Sequence, residues 1–430
     1  MPEGKTTVTE INGLAHYEVD FNADGSLNTE TGGGDGGLPA AVAAGGITDL
    51  FVLSHGWNSG VDSARDLYQA MFGLLADQLG AHLPTSAAVG IIWPSLLFPD
   101  DDPATAPPVP SSGAQLVAAL TPAFPGQQEQ LATIGRLLDQ QPQDPAKLTE
   151  FHELASGLVT TPPQGVEDAG EAALLTADTA TAFGHAAAMA PHAPTGAQGI
   201  GNPFAGLWNG GREVLRTLSY YEMKNRAGVV GQRGLGPLLA GLTGPGGPPR
   251  IHLMGHSFGA RLVSYSLAGL HDNQTGAASP VKSLTLIQGA FSHFTFASSL
   301  LFDLSRSGGL AGDGGRVDGP LLATFSSADR AVGWWYPVAS MLAGQDSESA
   351  TDLVFRWGAM GHDGYQQTPT PTAVVMQPQG KPYDFQSGAF YDLDANAVVC
   401  ANQSAFSGAH SDIRHPEVLW AVVSAAGLTV

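Results

Sequence analysis

The sequence predicts an α/β protein, with a mostly parallel β-sheet, helices on both faces and a largely helical insertion. Three observations carry this. Short apolar runs of buried-strand length recur along the chain, several are followed by helical periodicity, and glycine clusters punctuate the elements. Strands that alternate with helices need crossover connections, and crossovers set a parallel sheet between two helical layers.

The expected strands are Leu50 to Leu53, Ala88 to Trp93, Ile251 to Met254, Leu284 to Ile287, Leu321 to Phe325 and Ala397 to Val399. A strand buried on both faces reads as a continuous apolar run, which is the pattern here. After the first run, Ala64, Leu67, Met71, Leu74 and Leu75 repeat at helical spacing, and after Ser257 so do Leu262, Val263, Ser266 and Leu267. The last helix opens at Pro416, where a helix tolerates proline, and has Gly427 past its final turn. Glycine clusters at 32–37, 244–247 and 308–315 are expected loops, because glycine supplies the positive φ that tight connections need. No repeat of solenoid or propeller period is present.

Residues 97–208 break the rhythm. They begin with the proline-rich FPDDDPATAPPVP and continue into the weakly amphipathic helices 126–140 and 144–159. The chain therefore divides into an N-terminal part of the core (1–96), an insertion (97–208) and a C-terminal part (209–430), which opens with a strong helix over 211–228. Such an insertion is either a lid over a site or an added structural subdomain.

Charge excludes several partners. The 18 basic and 39 acidic residues leave a net charge of −21. No basic cluster reverses that field locally, so nucleic acid and anionic membrane surfaces are not expected partners. Charged residues are 13% of the chain against a usual ~25%, and the 43% hydrophobic content suits a large core. With Cys400 as the single cysteine, no intrachain disulfide and no cysteine-based zinc site can form. The start MPEGKTTVTE lacks the basic and apolar regions of a signal peptide, and no run of about 18 apolar residues appears. A cytoplasmic protein with no integral membrane association is expected, with leaderless export left open. Cys400, in the apolar run NAVVC, is expected in the core.

The sharpest chemical signal is IHLMGHSFGARLV, residues 251–263, with Gly255-His256-Ser257-Phe258-Gly259 at its centre. In a chain with 56 glycines the five-residue pattern alone is weak. Its context is specific: an apolar strand enters, an amphipathic helix leaves, and both glycines sit where a Cβ would clash in a sharp strand-turn-helix. Such a turn holds the serine in a strained conformation, its hydroxyl exposed above the carboxyl edge of the sheet.

On these residues the chain resembles an α/β-hydrolase of the serine esterase/lipase type, from about residue 47 to 427 with the insertion outside the match. The resemblance implies the α/β-hydrolase fold, a Ser…acid…His order and hydrolysis of carboxylic esters through an acyl-enzyme, with no cofactor. The segments HGWN (55–58) and AHSDI (409–413) are similar to those of hydrolases of unknown substrate. An acyl-transfer serine needs donors for the oxyanion of its tetrahedral intermediate. The amide of Phe258, next after the serine, is one, and the resemblance assigns the amide of Trp57, after His55-Gly56, as the second.

Family order places the base late in the chain. His410, just before the last helix, is the favoured base and His362 in GAMGHDGY the second candidate; His415, preceding Pro416, reads as a helix start. The acid should follow the strand at 321–325, which favours Asp329, whose alternative role is a helix N-cap. Asp303, Asp313, Asp318, Asp346 and Asp352 are rivals. Asp412 is expected to brace the histidine loop through an Asx-type turn.

Two patterns suggest metal and are better explained without it. DFNADGSLNTE (20–30) begins like a calcium loop, with Asp20, Asn22, Asp24 and Gly25 at ligand spacing, but Thr31 falls where the bidentate glutamate belongs. A hairpin turn at Asp24-Gly25 accounts for the same residues. His410, Asp412 and His415 lack a further ligand cluster. The expected function is thus ester hydrolysis by Ser257, His410 and Asp329, on a small-molecule or lipid-like substrate. Apolar Trp57, Phe258, Trp334 and Trp335 are candidate acyl-pocket walls or, equally, core residues. An amidase, peptidase or acyltransferase would use the same triad, and a non-catalytic binding protein could share the fold.

Overall fold

A computed structural model describes residues 9–30, 34–56, 60–96, 112–165, 167, 175, 178–180, 182–183, 203–332, 358–367, 370–401 and 408–429. Its strands are β1 (Thr9–Ile11), β2 (Leu14–Asp20), β3 (Asp49–Ser54), β4 (Ser86–Ile92), β5 (Arg250–His256), β6 (Val281–Ile287), β7 (Leu321–Phe325), β8 (Thr372–Val375) and β9 (Phe390–Asp394). They form one sheet in the order β1-β2-β4-β3-β5-β6-β7-β9-β8. Only β1 pairs antiparallel, with β2. The helices are α1 (Leu38–Ala44), α2 (Val61–Leu79), α3 (Gly113–Leu120), α4 (Gln128–Gln140), α5 (Pro145–Ser156), α6 (Pro203–Val229), α7 (Gly236–Gly241), α8 (Phe258–Ser266), α9 (Met360–Asp363) and α10 (Pro416–Ala425).

The alternation of strand side chains divides the core in two. In β3, Leu50 and Val52 face one layer, which holds α6 and α8, and Phe51 and Leu53 face the other, which holds α2 and α10. In β5, Ile251 and Leu253 join the first layer and Met254 the second. Both faces of the central strands are covered, which is why they read as mostly apolar runs.

Four expected strands correspond to β3, β4, β5 and β6 with ends moved by a few residues, and 321–325 is β7 as read. The sixth is corrected: Ala397–Val399 is a turn, with Val398 and Val399 amides donating to Ala395 O at 2.9 and 2.8 Å. Val399 is buried in the core layer that holds α10 and Val398 packs partly on it, so local composition resembles a strand without a ladder partner. The neighbouring strand is β9, whose FYDLD alternates polar and apolar. Cys400 is exposed rather than in the core, since the turn ends there and directs its side chain to solvent. At the hairpin 20–28, Phe21 bridges Leu27, and the Asp24 carboxylate accepts from the Ser26 amide at 2.9 Å around Gly25, whose φ is 88°.

The insertion helices α3, α4 and α5 bury Leu116, Leu131, Ile134 and Phe151 in the same core as α6. Helix α6 starts eight residues before the expected position, at Pro203. It carries a buried ion pair, Glu222–Arg226 at 3.1 Å, that fastens the insertion at several points. Glu222 accepts from the amides of Thr160 and Thr161 at 2.8 and 2.9 Å, and Arg226 donates to Pro94 O and Ala123 O at 2.8 and 2.6 Å. Every charge-bearing oxygen and most guanidinium protons so engaged offset the desolvation of the pair. Among the described residues, no helix is long and apolar enough to cross a membrane.

Candidate active site

The carboxyl end of β5 turns directly into α8 through Ser257. Its backbone has a positive φ, with φ 57° and ψ −123°, a conformation that costs a non-glycine residue on the order of 1–3 kcal/mol and persists only where surroundings impose it. The imposition is visible. Ser257 N donates to Ile287 O of β6 at 3.1 Å, and Ser257 O accepts from Ala260 N and Ala290 N at 3.1 and 3.2 Å. A Cβ on Gly255 would lie 2.3 Å from Gly259 O, and one on Gly259 would lie 2.1 Å from Ser54 O at the end of β3. Both glycines of the motif are therefore required by packing, as its context implied.

The loop after β3 closes over the serine. A Cβ on Gly56 would fall 2.4 Å from Ser257 Cβ and 3.1 Å from its Oγ. His55 braces this loop: its Nδ1 lies 2.9 Å from Gly56 O, and its ring stacks on Trp93 at 5.6 Å. Ser95 Oγ donates to the same Gly56 oxygen at 3.2 Å, and Tyr68 Oη accepts from the His55 amide at 3.1 Å. Burial pushes the His55 imidazole down to about 4, with the Gly56 carbonyl partly opposing, so the ring is neutral and its Nδ1–H is the donor. Trp57 itself, with Trp334 and Trp335, lies outside the described residues. Phe258 opens α8, which sets its amide at the positive end of the helix dipole beside Ser257. Its side chain is fully buried against Tyr220, with ring centroids 4.8 Å apart, so it belongs to the core and not to a pocket wall.

Asp329 and His410 meet across 81 residues, with His410 Nδ1 at 2.7 Å from Asp329 Oδ2. Asp329 is fully buried and His410 nearly so, at 8% exposure. Two loops dock to bring them together: Asp329 bridges Gly408, and Ala409 N donates to Ala328 O at 2.9 Å. The other carboxylate oxygen, Oδ1, accepts from Val332 N at 3.2 Å, so Asp329 fills the capping role as well as facing the histidine. Nδ1 facing the carboxylate leaves Nε2 as the free ring nitrogen, the orientation a general base needs.

His256 links this pair to the serine it precedes. Its Nε2–H donates to His410 O at 2.9 Å, and the two rings lie 4.9 Å apart. Burial, then the nearby His410, pushes the His256 imidazole down to about 3, so it is a neutral donor. No hydrogen bond joins Ser257 Oγ to His410 among the described residues; such bonds in ligand-free sites often close only with substrate bound.

The remaining candidates lie elsewhere. His362 is in α9, its Nδ1 buried and unpartnered, while the Asp329 carboxylate is turned to His410. His415 caps α10 and pairs with Asp412 at 2.9 Å. Asp412 braces the loop differently from the expected Asx turn: its Oδ2 accepts the amides of Cys400 and Ala401 at 3.0 and 2.8 Å. Asp303 bonds within its own turn to Ser305, Asp313 pairs with Arg316, and Asp318 pairs with Lys282. Asp346 and Asp352 are outside the described residues. Among the described residues, no three His, Cys, Asp or Glu side chains are grouped as a metal site.

Sequence reasoning missed Ser95, Tyr68 and Gln288 as parts of this site, because none belongs to a motif or a periodic pattern. The arrangement offers a strained serine at a helix N-terminus, an oriented imidazole and a buried carboxylate. No protein-family model, curated protein or solved structure matches this chain.

Proposed function

We propose that the protein is an α/β-hydrolase-type serine hydrolase that cleaves carboxylic esters, on small-molecule or lipid-like substrates. The observation that carries this reading is the 2.7 Å Asp329–His410 contact formed beside a serine held at φ 57°. Ser257 Oγ attacks the ester carbonyl while His410 Nε2 takes its proton. The oxyanion of the tetrahedral intermediate is stabilised by the amides of Phe258 and Trp57. Collapse breaks the acyl–oxygen bond, His410 returns the proton to the leaving alcohol, and the acyl group stays on Ser257. Water then repeats the sequence with His410 as base, releasing the acid and the free serine. Asp329 holds the imidazole orientation and balances the imidazolium charge in both halves.

The test is hydrolysis of p-nitrophenyl esters from acetate to palmitate, with fluorophosphonate labelling of Ser257. Ser257→Ala and His410→Ala are each expected to cut kcat by on the order of 10⁴- to 10⁶-fold. An inert wild type, or a His410→Ala variant with full activity, would overturn the assignment.

A further inference from the structure

Beneath the Asp329–His410 pair lies a side chain that the mechanism above leaves unused. Gln288 follows β6, is fully buried, and has a backbone φ of 46°, a region that non-glycine residues seldom occupy. Its side-chain amide is held from every side. Nε2 donates to Asp329 Oδ2 at 3.0 Å and to Gly361 O at 3.1 Å. Oε1 accepts from Thr324 Oγ1 at 2.9 Å, and Thr324 Oγ1 in turn accepts from the Gln288 backbone N–H at 3.0 Å. These bonds fix which way the amide points, since the reverse orientation would set Oε1 against a carboxylate and a carbonyl. Packing leaves no slack: a Cβ on Gly361 would fall 2.6 Å from the Gln288 carbonyl carbon.

Asp329 Oδ2 is thus shared by two donors, His410 Nδ1 and Gln288 Nε2, while Oδ1 is capped by Val332 N. Val332 N holds Oδ1, while Gln288 Nε2 is the fixed donor on Oδ2, the oxygen that faces the imidazole. We propose that Gln288 is a positioning residue for the Asp329–His410 pair, its amide clamped by Thr324 and Gly361 so that Asp329 Oδ2 faces His410 Nδ1. The inference rests on the hydrolase reading only for its kinetic consequence, not for the geometry. Among the described residues, the titratable groups in contact with His410 are Asp329 and His256, with Arg414 and His55 acting on His256 from further off.

The test uses Gln288→Leu, which nearly keeps the volume but has no donor, and Gln288→Asn, which suits a left-handed backbone but is too short to reach Asp329. The first readout needs no turnover: the far-downfield proton resonance of the His410 Nδ1–H···Oδ2 bond in protein labelled with ¹⁵N-histidine. It is expected to shift or vanish in both variants and to persist in Ser257→Ala. In the ester assay, kcat should fall by roughly 10- to 100-fold with KM changed by less than about threefold. Thermal melts identify a variant that does not fold, and the other then carries the test. A folded variant with an unchanged resonance and kcat within twofold overturns the proposal. If wild type neither labels nor hydrolyses esters while the variants still lose the resonance, the positioning role stands and the hydrolase reading fails.

Discussion

Gly259→Ala perturbs the contact between α8 and β3 at its tightest point. The added Cβ would sit 2.1 Å from Ser54 O and 2.4 Å from His55 O, whereas real Cβ atoms stay beyond about 3.0 Å. Helix α8 or the end of β3 must therefore retreat by roughly 0.9 Å, and because both obstacles are backbone oxygens no rotamer change can absorb the strain. Overpacking of this kind costs about 1–3 kcal/mol, and the rigid obstacle places Gly259→Ala toward the upper end. The displacement also separates Ser257 from the loop bearing Gly56, and about 1 Å of misplacement in a reacting site costs on the order of 10²-fold in rate. Urea unfolding at 25 °C measures the first effect and the rate of fluorophosphonate labelling the second. Gly241→Ala serves as the control, because a Cβ at the end of α7 meets nothing within 4 Å. It should be neutral or stabilise by up to about 1 kcal/mol through the unfolded chain. A Gly259→Ala protein within 0.5 kcal/mol of wild type, labelling at the wild-type rate, would refute the packing argument for the motif.

Two further predictions concern pH. His55 and His256 are neutral in the fold, with values pushed down to about 4 and about 3 by burial, against about 6.5 for an unfolded histidine. Below about pH 6.5 the unfolded chain therefore binds more protons than the folded one, and each histidine removes about 1.4 kcal/mol of stability per pH unit until its folded value is reached. Urea titrations between pH 4 and 7 should show that loss. His256→Phe should lower stability near pH 7 by about 1 kcal/mol, through the lost bond to His410 O, and flatten the acid slope; an unchanged slope would count against a neutral buried His256. Asp392 is the opposite case, pushed up to about 7 by burial, with Asp363 adding to the shift and the Tyr365 amide opposing it. There the folded state binds the extra proton, so stability falls as pH rises from about 4 to 7. Allowing for its partial exposure, Asp392→Asn should stabilise by about 1–2 kcal/mol at pH 8 and by much less at pH 4. Equal effects at both pH values would contradict the assignment.

Much of the framework was legible because its causes are local. β3, β5, β6 and β7 are buried on both faces, so their sequences are mostly apolar, broken only by residues such as His252, Thr285 and Thr324 that are themselves buried. The turn at Ser257 needs residues without a Cβ on either side, and glycine is the only residue that meets that demand. What followed from order along the chain, the expected partnership of Asp329 with His410, corresponds to a 2.7 Å contact. Other features were decided by the tertiary structure. β9 alternates Tyr391 and Leu393 inward with Asp392 and Asp394, and so lacks the run that marked the central strands. Ala397–Val399 has that run yet lies in a turn, where Val399 is buried and Val398 packs partly on the same core while Ala397 is exposed. The supports of the site were invisible for a related reason. Gln288 reaches Asp329 across 41 residues and Ser95 reaches Gly56 across 39. Those distances close only through the order in which parallel strands pack, and no neighbouring residue in the chain records that order.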